Sequence, residues 1–359
     1  MDLLCALPTL LLKQRPMQQA VLVQPPPRGR ISGGFLYNAR MAEHAAWEVI
    51  DVPAEQLSDL TRHVGASRPI LMDSIWLTEA HLDAFLALAA QGRRMGVMLH
   101  SFPSMIAATE AGQAPLTEPS RFEVQALERL GLVVVPGRHY ADLLMGCSAT
   151  IVIAEPGIDD GWRAEPRRRV GPCRLVSVGS ATPRKGFLDV AALLEGRASD
   201  DYRWTIVGSL DADPVYAGRL LQLTRSLPNV SFEGQQPPEE VQRIVRASDV
   251  LVMPSYDENQ PLVLLEAMAA SVPAVAYAAG AARHMLEHGR QGLITAIGNK
   301  QGLAEHIDRL LDDESARYQM ALACFDRQRS IPSWSSAAGL ARAALQAGWA
   351  ELEARGGAA

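Results

Sequence analysis

The chain has 359 residues, of which 48% are hydrophobic and 21% charged, and its net charge is −6. The length exceeds one ordinary core and predicts two domains, and the composition excludes a disordered or fibrous chain. The acidic balance gives no general argument for a nucleic-acid partner, and the short basic run Arg167–Arg169 reads as a solvated linker.

Residues 1–17 are expected to be an N-terminal extension: Met1–Leu12 is apolar but carries Asp2 and no leading basic residue, which fits a secretory signal poorly and favours either a ragged amphipathic extension or an upstream start codon with Met17 the true start. Ala20–Gln24 is a short strand, closed by Pro25–Pro27. The loop Arg28–Gly34 follows, with Gly33 and Gly34 free to let backbone approach a ligand, and then a helix-compatible run from Phe35 to Trp47. Pro69–Met72, Met95–Leu99, Leu132–Val135 and Ala149–Ile153 read as further buried strands, with helices over Glu79–Gln91 and Tyr140–Leu144. Met95–Leu99 delivers His100 to its carboxyl end. This alternation predicts parallel β-α-β units in a domain spanning 18–162.

The charged, Pro-containing stretch 163–172 marks a linker. Alternation restarts in a second domain, 173–333, with strands at Arg174–Val178, Trp204–Val207, Val230–Glu233, Val250–Met253 and Ala274–Tyr277. Helices are expected over Tyr216–Ser226, Pro238–Ala247, Gln301–Leu311 and Glu314–Arg329. A C-terminal helix within 334–359 is free to pack back on the first domain. The predicted fold class is α/β: two Rossmann-like, doubly wound domains facing a central cleft.

The most informative stretch is Asp249–Ala269. A buried strand ends at Pro254, a polar loop carries Glu258, Asn259, Gln260 and Pro261, and a helix begins at Leu262 with Glu266 about one turn in. A helix N-terminus at the carboxyl edge of such a sheet favours anions. Two carboxylates there would repel phosphate and better accept hydrogen bonds from hydroxyls. A second loop at the same edge carries Thr182-Pro183-Arg184-Lys185-Gly186, whose cations suit phosphate oxygens. A ligand with both phosphates and hydroxyls is a sugar nucleotide.

No metal site is expected: Cys5, Cys147, Cys173 and Cys324 are scattered, no HExxH pair occurs, and Asp211-Ala212-Asp213 reads as a turn. Free thiols point to a reducing, cytoplasmic setting. No run reaches the roughly 18–20 apolar residues of a membrane span, so membrane contact would be peripheral at most.

These residues resemble the donor-binding half of the retaining glycosyltransferases of family 4, which have the GT-B fold. Glu258 and Glu266 match the family's Glu-x7-Glu signature, inside the phrase Gln260-Pro261-Leu262 through Glu266-Ala267-Met268-Ala269. Lys185-Gly186, Gly208 at a strand end, Ser248-Asp249-Val250 and Gly289 to Gly292 add to the likeness, which covers Cys173–Ile294 well. In the first domain the Gly33-Gly34 loop, His100 and Pro156-Gly157-Ile158-Asp159 fit.

The resemblance implies a metal-independent hexosyltransferase that needs no cofactor. It would move a sugar from a nucleoside-diphosphate donor to a hydroxyl of a glycan, lipid or small metabolite. Glu266 would bind the ribose, and Glu258 the transferred sugar, supported by backbone N–H groups of Asn259–Leu262. Lys185 and Arg184 would neutralise the diphosphate, and His100 and Gly33-Gly34 would face the donor. The chain departs from the pattern at Ser180, where the family often has Arg, and at Gly280-Ala281-Ala282-Arg283-His284, where it usually has Gly-Gly-x-x-Glu. Two other readings compete: a non-catalytic sugar-nucleotide-binding protein, and an NAD-dependent oxidoreductase, which the absence of GxGxxG after any strand disfavours. Phe35, Tyr37, Trp76 and Phe102 are either acceptor-pocket or core residues.

Overall fold

A computed structural model describes residues 18–356 except 30, 66, 114–115 and 198–199. The expected N-terminal extension and start at Met17 lie outside the described residues. The first lobe runs β1 (Val21–Gln24), α1 (Gly33–Glu43), β2 (Glu48–Asp51), α2 (Leu60–Val64), β3 (Ile70–Asp73), α3 (Glu79–Ala90), β4 (Met95–Met98), α4 (Pro103–Glu110), α5 (Arg121–Leu130), β5 (Leu132–Val135), α6 (Arg138–Leu143), β6 (Thr150–Ile153). The second runs β7 (Cys173–Val178), α7 (Phe187–Leu194), β8 (Tyr202–Val207), α8 (Pro214–Thr224), β9 (Val230–Gly234), α9 (Pro238–Arg246), β10 (Val250–Met253), α10 (Leu262–Ala269), β11 (Ala274–Tyr277), α11 (Ala282–Met285), β12 (Gly292–Thr295), α12 (Lys300–Asp312), α13 (Glu314–Gln328). A last helix, α14 (Trp334–Gly356), closes the chain.

Each lobe holds one six-stranded parallel sheet, ordered β2-β1-β3-β4-β5-β6 and β12-β11-β10-β7-β8-β9. The strands carry apolar residues on both faces because helices cover both sides. In β1, Val21 and Val23 join the core under α3 and α5, while Leu22 joins the opposite core against α1 and α14. In β10, Val250 and Val252 split from Leu251 and Met253 in the same way.

Three differences from the sequence reading matter. The helix expected over Phe35–Trp47 stops at Glu43 and starts earlier, because Ser32 caps its N-terminus: Phe35 N donates to Ser32 Oγ at 3.3 Å. Gly33 and Gly34 are therefore its first turn and not a free loop. Glu48–Asp51 forms an edge strand, whose half-exposed residues give no apolar signal. Asp213, read as part of a solvated turn, caps α8 by accepting from Tyr216 N at 2.9 Å.

The lobes are joined twice. The chain leaves the first lobe through 154–172 and returns through 329–333, and the two segments run side by side, with Ile158 N donating to Pro332 O at 2.9 Å. Gly157 permits this approach, since a Cβ there would lie 2.4 Å from the Ser333–Trp334 peptide. Arg163 ties the same crossing by donating to Ile331 O at 2.9 Å. Beyond it α14 lies against β5 and β6, burying Ala341, Leu345 and Trp349 with Leu132, Val134 and Val152. Among the described residues no helix is long and apolar enough to cross a membrane.

Candidate functional site

In the second sheet β7 is flanked by β8 on one side and β10 on the other, so the strand order reverses between β7 and β10. The loops leaving their carboxyl ends diverge there and open a crevice. Both loops singled out in the sequence sit at that point. Arg184 and Lys185 lie in a short 3₁₀ turn before α7, and Glu258 in the loop before α10. The two loops are stitched by backbone, Tyr256 N donating to Arg184 O at 2.8 Å.

Their side chains close on one another. Lys185 Nζ is ion-paired and hydrogen-bonded to Glu258 Oε1. Arg184 Nη1 lies 3.8 Å from Glu258 Oε2 and donates to Asp257 O at 2.9 Å. Burial pushes the Glu258 carboxyl up, but Lys185 and Arg184 together outweigh it and hold the group below the usual carboxylate range. Asp257, buried without such a close partner, is raised by its burial. The sequence reading gave Lys185 the diphosphate and Glu258 the sugar of one donor; in the structure the two side chains pair with each other.

The first lobe presents a polar network at its own switch point, where β1 lies between β2 and β3. Asn38 of α1 is fully buried and donates to Gln24 Oε1 at 2.8 Å and Asp73 Oδ2 at 3.1 Å. These two donations fix the orientation of its amide, so Asn38 Oδ1 faces His100 Nε2 at 2.7 Å. The imidazole therefore carries its proton on Nε2 and leaves Nδ1 as an acceptor. Burial lowers the His100 pKa and Asp73, 3.9 Å away, opposes it. Gly34 lies beneath the ring, where a Cβ would sit 3.2 Å from it.

The two lobes meet across this crevice. Asn259 Nδ2 donates to Leu99 O at 3.1 Å and to His100 O at 3.2 Å. Gln260 rests against Gly137, and Leu262 packs among residues of the first lobe and α14. The structure thus brings together Arg184, Lys185, Glu258, Asn259, Gln260, His100 and Gly34, with Gly33 and Pro261 at the starts of α1 and α10. Gly208 ends β8 against Gly179 of the neighbouring loop.

Glu266 lines a groove between the lobes with Arg40, Asp159, Leu36 and Trp162. Burial first, then Asp159, pushes its pKa up to about 8, with Arg40 opposing; Arg40 itself is paired to Asp159 at 2.8 Å. At neutral pH this carboxyl is mostly protonated and can both donate and accept. Of the candidate acceptor aromatics, Tyr37, Trp76 and Phe102 are core. Asn38, Asp257, Arg40 and Asp159 were not singled out as site residues. Asn38 looks like any polar residue in a helix, and only the neighbouring strand ends show its partners.

Residues 159–323 match the family model described as Glycosyl transferases group 1. The second lobe is a group 1 glycosyl transferase domain. The chain is 32% identical over 254 residues to the D-inositol 3-phosphate glycosyltransferase of Pseudarthrobacter chlorophenolicus, covering 64% of this chain and 59% of that protein. It is 31% identical over 199 residues to the glycogen synthase of Mycobacterium tuberculosis, covering 53% and 47%. The chain therefore spans about half the length of the curated relatives it matches.

Two solved structures are similar over nearly the whole chain. Sucrose-phosphate synthase from Thermosynechococcus elongatus has a TM-score of 0.73 at 18% identity, covering 95% of this chain and 100% of that one. HepE from Anabaena, solved with UDP-glucose, has a TM-score of 0.73 at 16% identity, covering 92% and 99%. The fold is GT-B, as the resemblance implied. In the group 1 domain the Arg184–Lys185–Glu258 cluster occupies the switch-point crevice of that fold.

Proposed function

We propose that the protein is a retaining glycosyltransferase of family 4 that moves a sugar from a nucleoside diphosphate to an acceptor hydroxyl without a metal ion. The observation that carries this reading is the cationic pair Arg184–Lys185 clasping Glu258 at the switch point of a group 1 domain. The pair is a pre-set balance of charge. A diphosphate entering the crevice offers Lys185 and Arg184 a stronger anionic partner, and Glu258, displaced from Lys185, is free to accept from sugar hydroxyls.

In the reaction the bond from the anomeric carbon to the diphosphate oxygen breaks as the bond to the acceptor oxygen forms on the same face. The leaving phosphate oxygen takes the acceptor proton. Negative charge grows on the diphosphate, where the two cations and the N–H groups before α10 stabilise it. His100, with Nδ1 left as an acceptor, can hold a sugar hydroxyl from the other side. Glu266, protonated near neutrality, is suited to the paired donor and acceptor pattern of a ribose. The acceptor is a glycan, a lipid or a small metabolite, and the setting a cytoplasm supplied with sugar nucleotides. The likeness to HepE, solved with UDP-glucose, supports a sugar-nucleotide donor.

The second reading, a sugar-nucleotide-binding protein without turnover, is favoured by Ser180 and His284 standing where the family carries Arg and Glu. Incubation with UDP, GDP and ADP sugars separates the two. Slow release of the nucleoside diphosphate supports the transferase; tight binding with no release supports the binder.

A further inference from the structure

The loop after β11 carries a cation that the donor-site argument leaves unused. Gly280 has φ +53°, and a Cβ there would collide with the Glu258 carbonyl oxygen. Ala281 N donates to Asn259 O at 3.0 Å. This loop therefore lies directly on the loop that carries Glu258, and the short turn α11 projects Arg283 from it toward the first lobe. Arg283 Nη2 donates to His139 Nδ1 at 3.3 Å, and Arg283 Nε donates to His284 Nε2 at 3.1 Å.

Both acceptors are ring nitrogens, and a ring nitrogen that accepts from a guanidinium carries no proton. Neither imidazole then supplies a counter-charge. Burial, followed by the neighbouring Arg283 charge, lowers His139 to about 4, in agreement with its acceptor role. The Asp142 carboxylate opposes this, with a smaller influence than burial or Arg283. Among the described residues no carboxylate is paired with Arg283. A planar, permanently charged fork is thus held by two neutral rings at the rim of the crevice, one loop away from Glu258. Where the family pattern has a carboxylate suited to sugar hydroxyls, this chain has His284 and beside it the positive Arg283.

We propose that Arg283, braced by His139 and His284, recognises an anionic group, carboxylate or phosphate, carried by the sugar substrate. The proposal rests on the glycosyltransferase reading above and deepens it to a substrate class. A guanidinium fork matches a carboxylate or phosphate with two parallel hydrogen bonds and gains little from a neutral hydroxyl. The anion belongs either to the donor, as a hexuronate, or to a phosphorylated acceptor.

The test begins by finding which of UDP, GDP and ADP binds. Titration calorimetry then compares the glucose and glucuronate conjugates of that nucleotide. A second arm, at saturating nucleotide, compares glucose with glucose 6-phosphate. One anionic member is expected to bind at least about tenfold more tightly than its neutral counterpart. Arg283→Gln should erase that preference, and Arg283→Lys should keep part of it. Preference in the first arm assigns the anion to the donor, and in the second to the acceptor. Equal affinity in both pairs, or a preference that survives Arg283→Gln, overturns the proposal and leaves the glycosyltransferase reading standing if a nucleotide binds. Failure of all three nucleotides to bind overturns that reading and this inference with it.

Discussion

At the scale of single residues, Lys185 and Glu258 have to be treated as a unit. Both are largely buried, with side-chain exposures of 16% and 10%, and Arg184 at 3.8 Å is a further partner of the carboxylate. Lys185→Ala would strand a buried negative charge, and removing one member of such a pair costs about 3 kcal/mol. The double change Lys185→Met with Glu258→Gln removes both charges at similar volume and should return the unfolding midpoint close to wild type. Denaturant unfolding of the three proteins checks this, and a single variant as stable as the double contradicts it. Glu266 behaves in the opposite sense. Its folded value of about 8 lies above the ordinary 4.5, so between those limits the folded protein keeps a proton that the unfolded chain has released. Stability therefore falls as pH rises from about 4.5 to 8. Glu266→Gln should stabilise the protein at pH 8 more than at pH 5 in thermal unfolding; an equal effect at both would refute the raised value. Among the site residues, Lys185, Glu258 and His100 were legible because each stands in the segment that follows the carboxyl end of a strand. Their partners were not, because Asn38 and Asp73 meet His100 only after three separate segments fold together.

At the scale of elements, β10, its polar loop and α10 were legible from a short apolar run, a Pro and a set of helix formers. The edge strand β2 was not, since its residues are half exposed and alternate weakly. Helix α5 was passed over although Ser120 and Glu123 form a capping box that the sequence spells out. In the fold, Glu258 lies in the loop before α10 beside Lys185, whereas Glu266 turns within α10 toward Arg40 and Asp159. The last helix carries its own test. Trp349 is 2% exposed against β5 and β6, and Gly348 brings α14 close enough that a Cβ would lie 2.8 Å from Val152. Trp349→Ala should cost about 3–5 kcal/mol by leaving a cavity on one face of the first sheet. Equilibrium unfolding measures it, and a loss under about 1 kcal/mol would mean that α14 does not hold that sheet.

At the scale of the whole molecule, the two sheets face each other across a crevice whose walls already touch. Asn259 reaches Leu99 and His100, and Gln235 Nε2 donates to Gly29 O at 2.8 Å. The chain crosses between the lobes at 154–172 and again at 329–333, where it passes into α14. Two Rossmann-like units and a returning helix follow from alternation and length, so this level of the fold was the most legible. Which polar groups would face one another across the crevice was not, because that depends on how the lobes are set together. The account stands on the claim that Lys185 and Glu258 receive the sugar nucleotide. The most direct measurement is release of nucleoside diphosphate from the preferred sugar nucleotide by wild type and by the Lys185→Met, Glu258→Gln protein, matched for stability. The account predicts turnover by wild type and a loss of at least about 100-fold in the double variant. Equal turnover by the two proteins would contradict it.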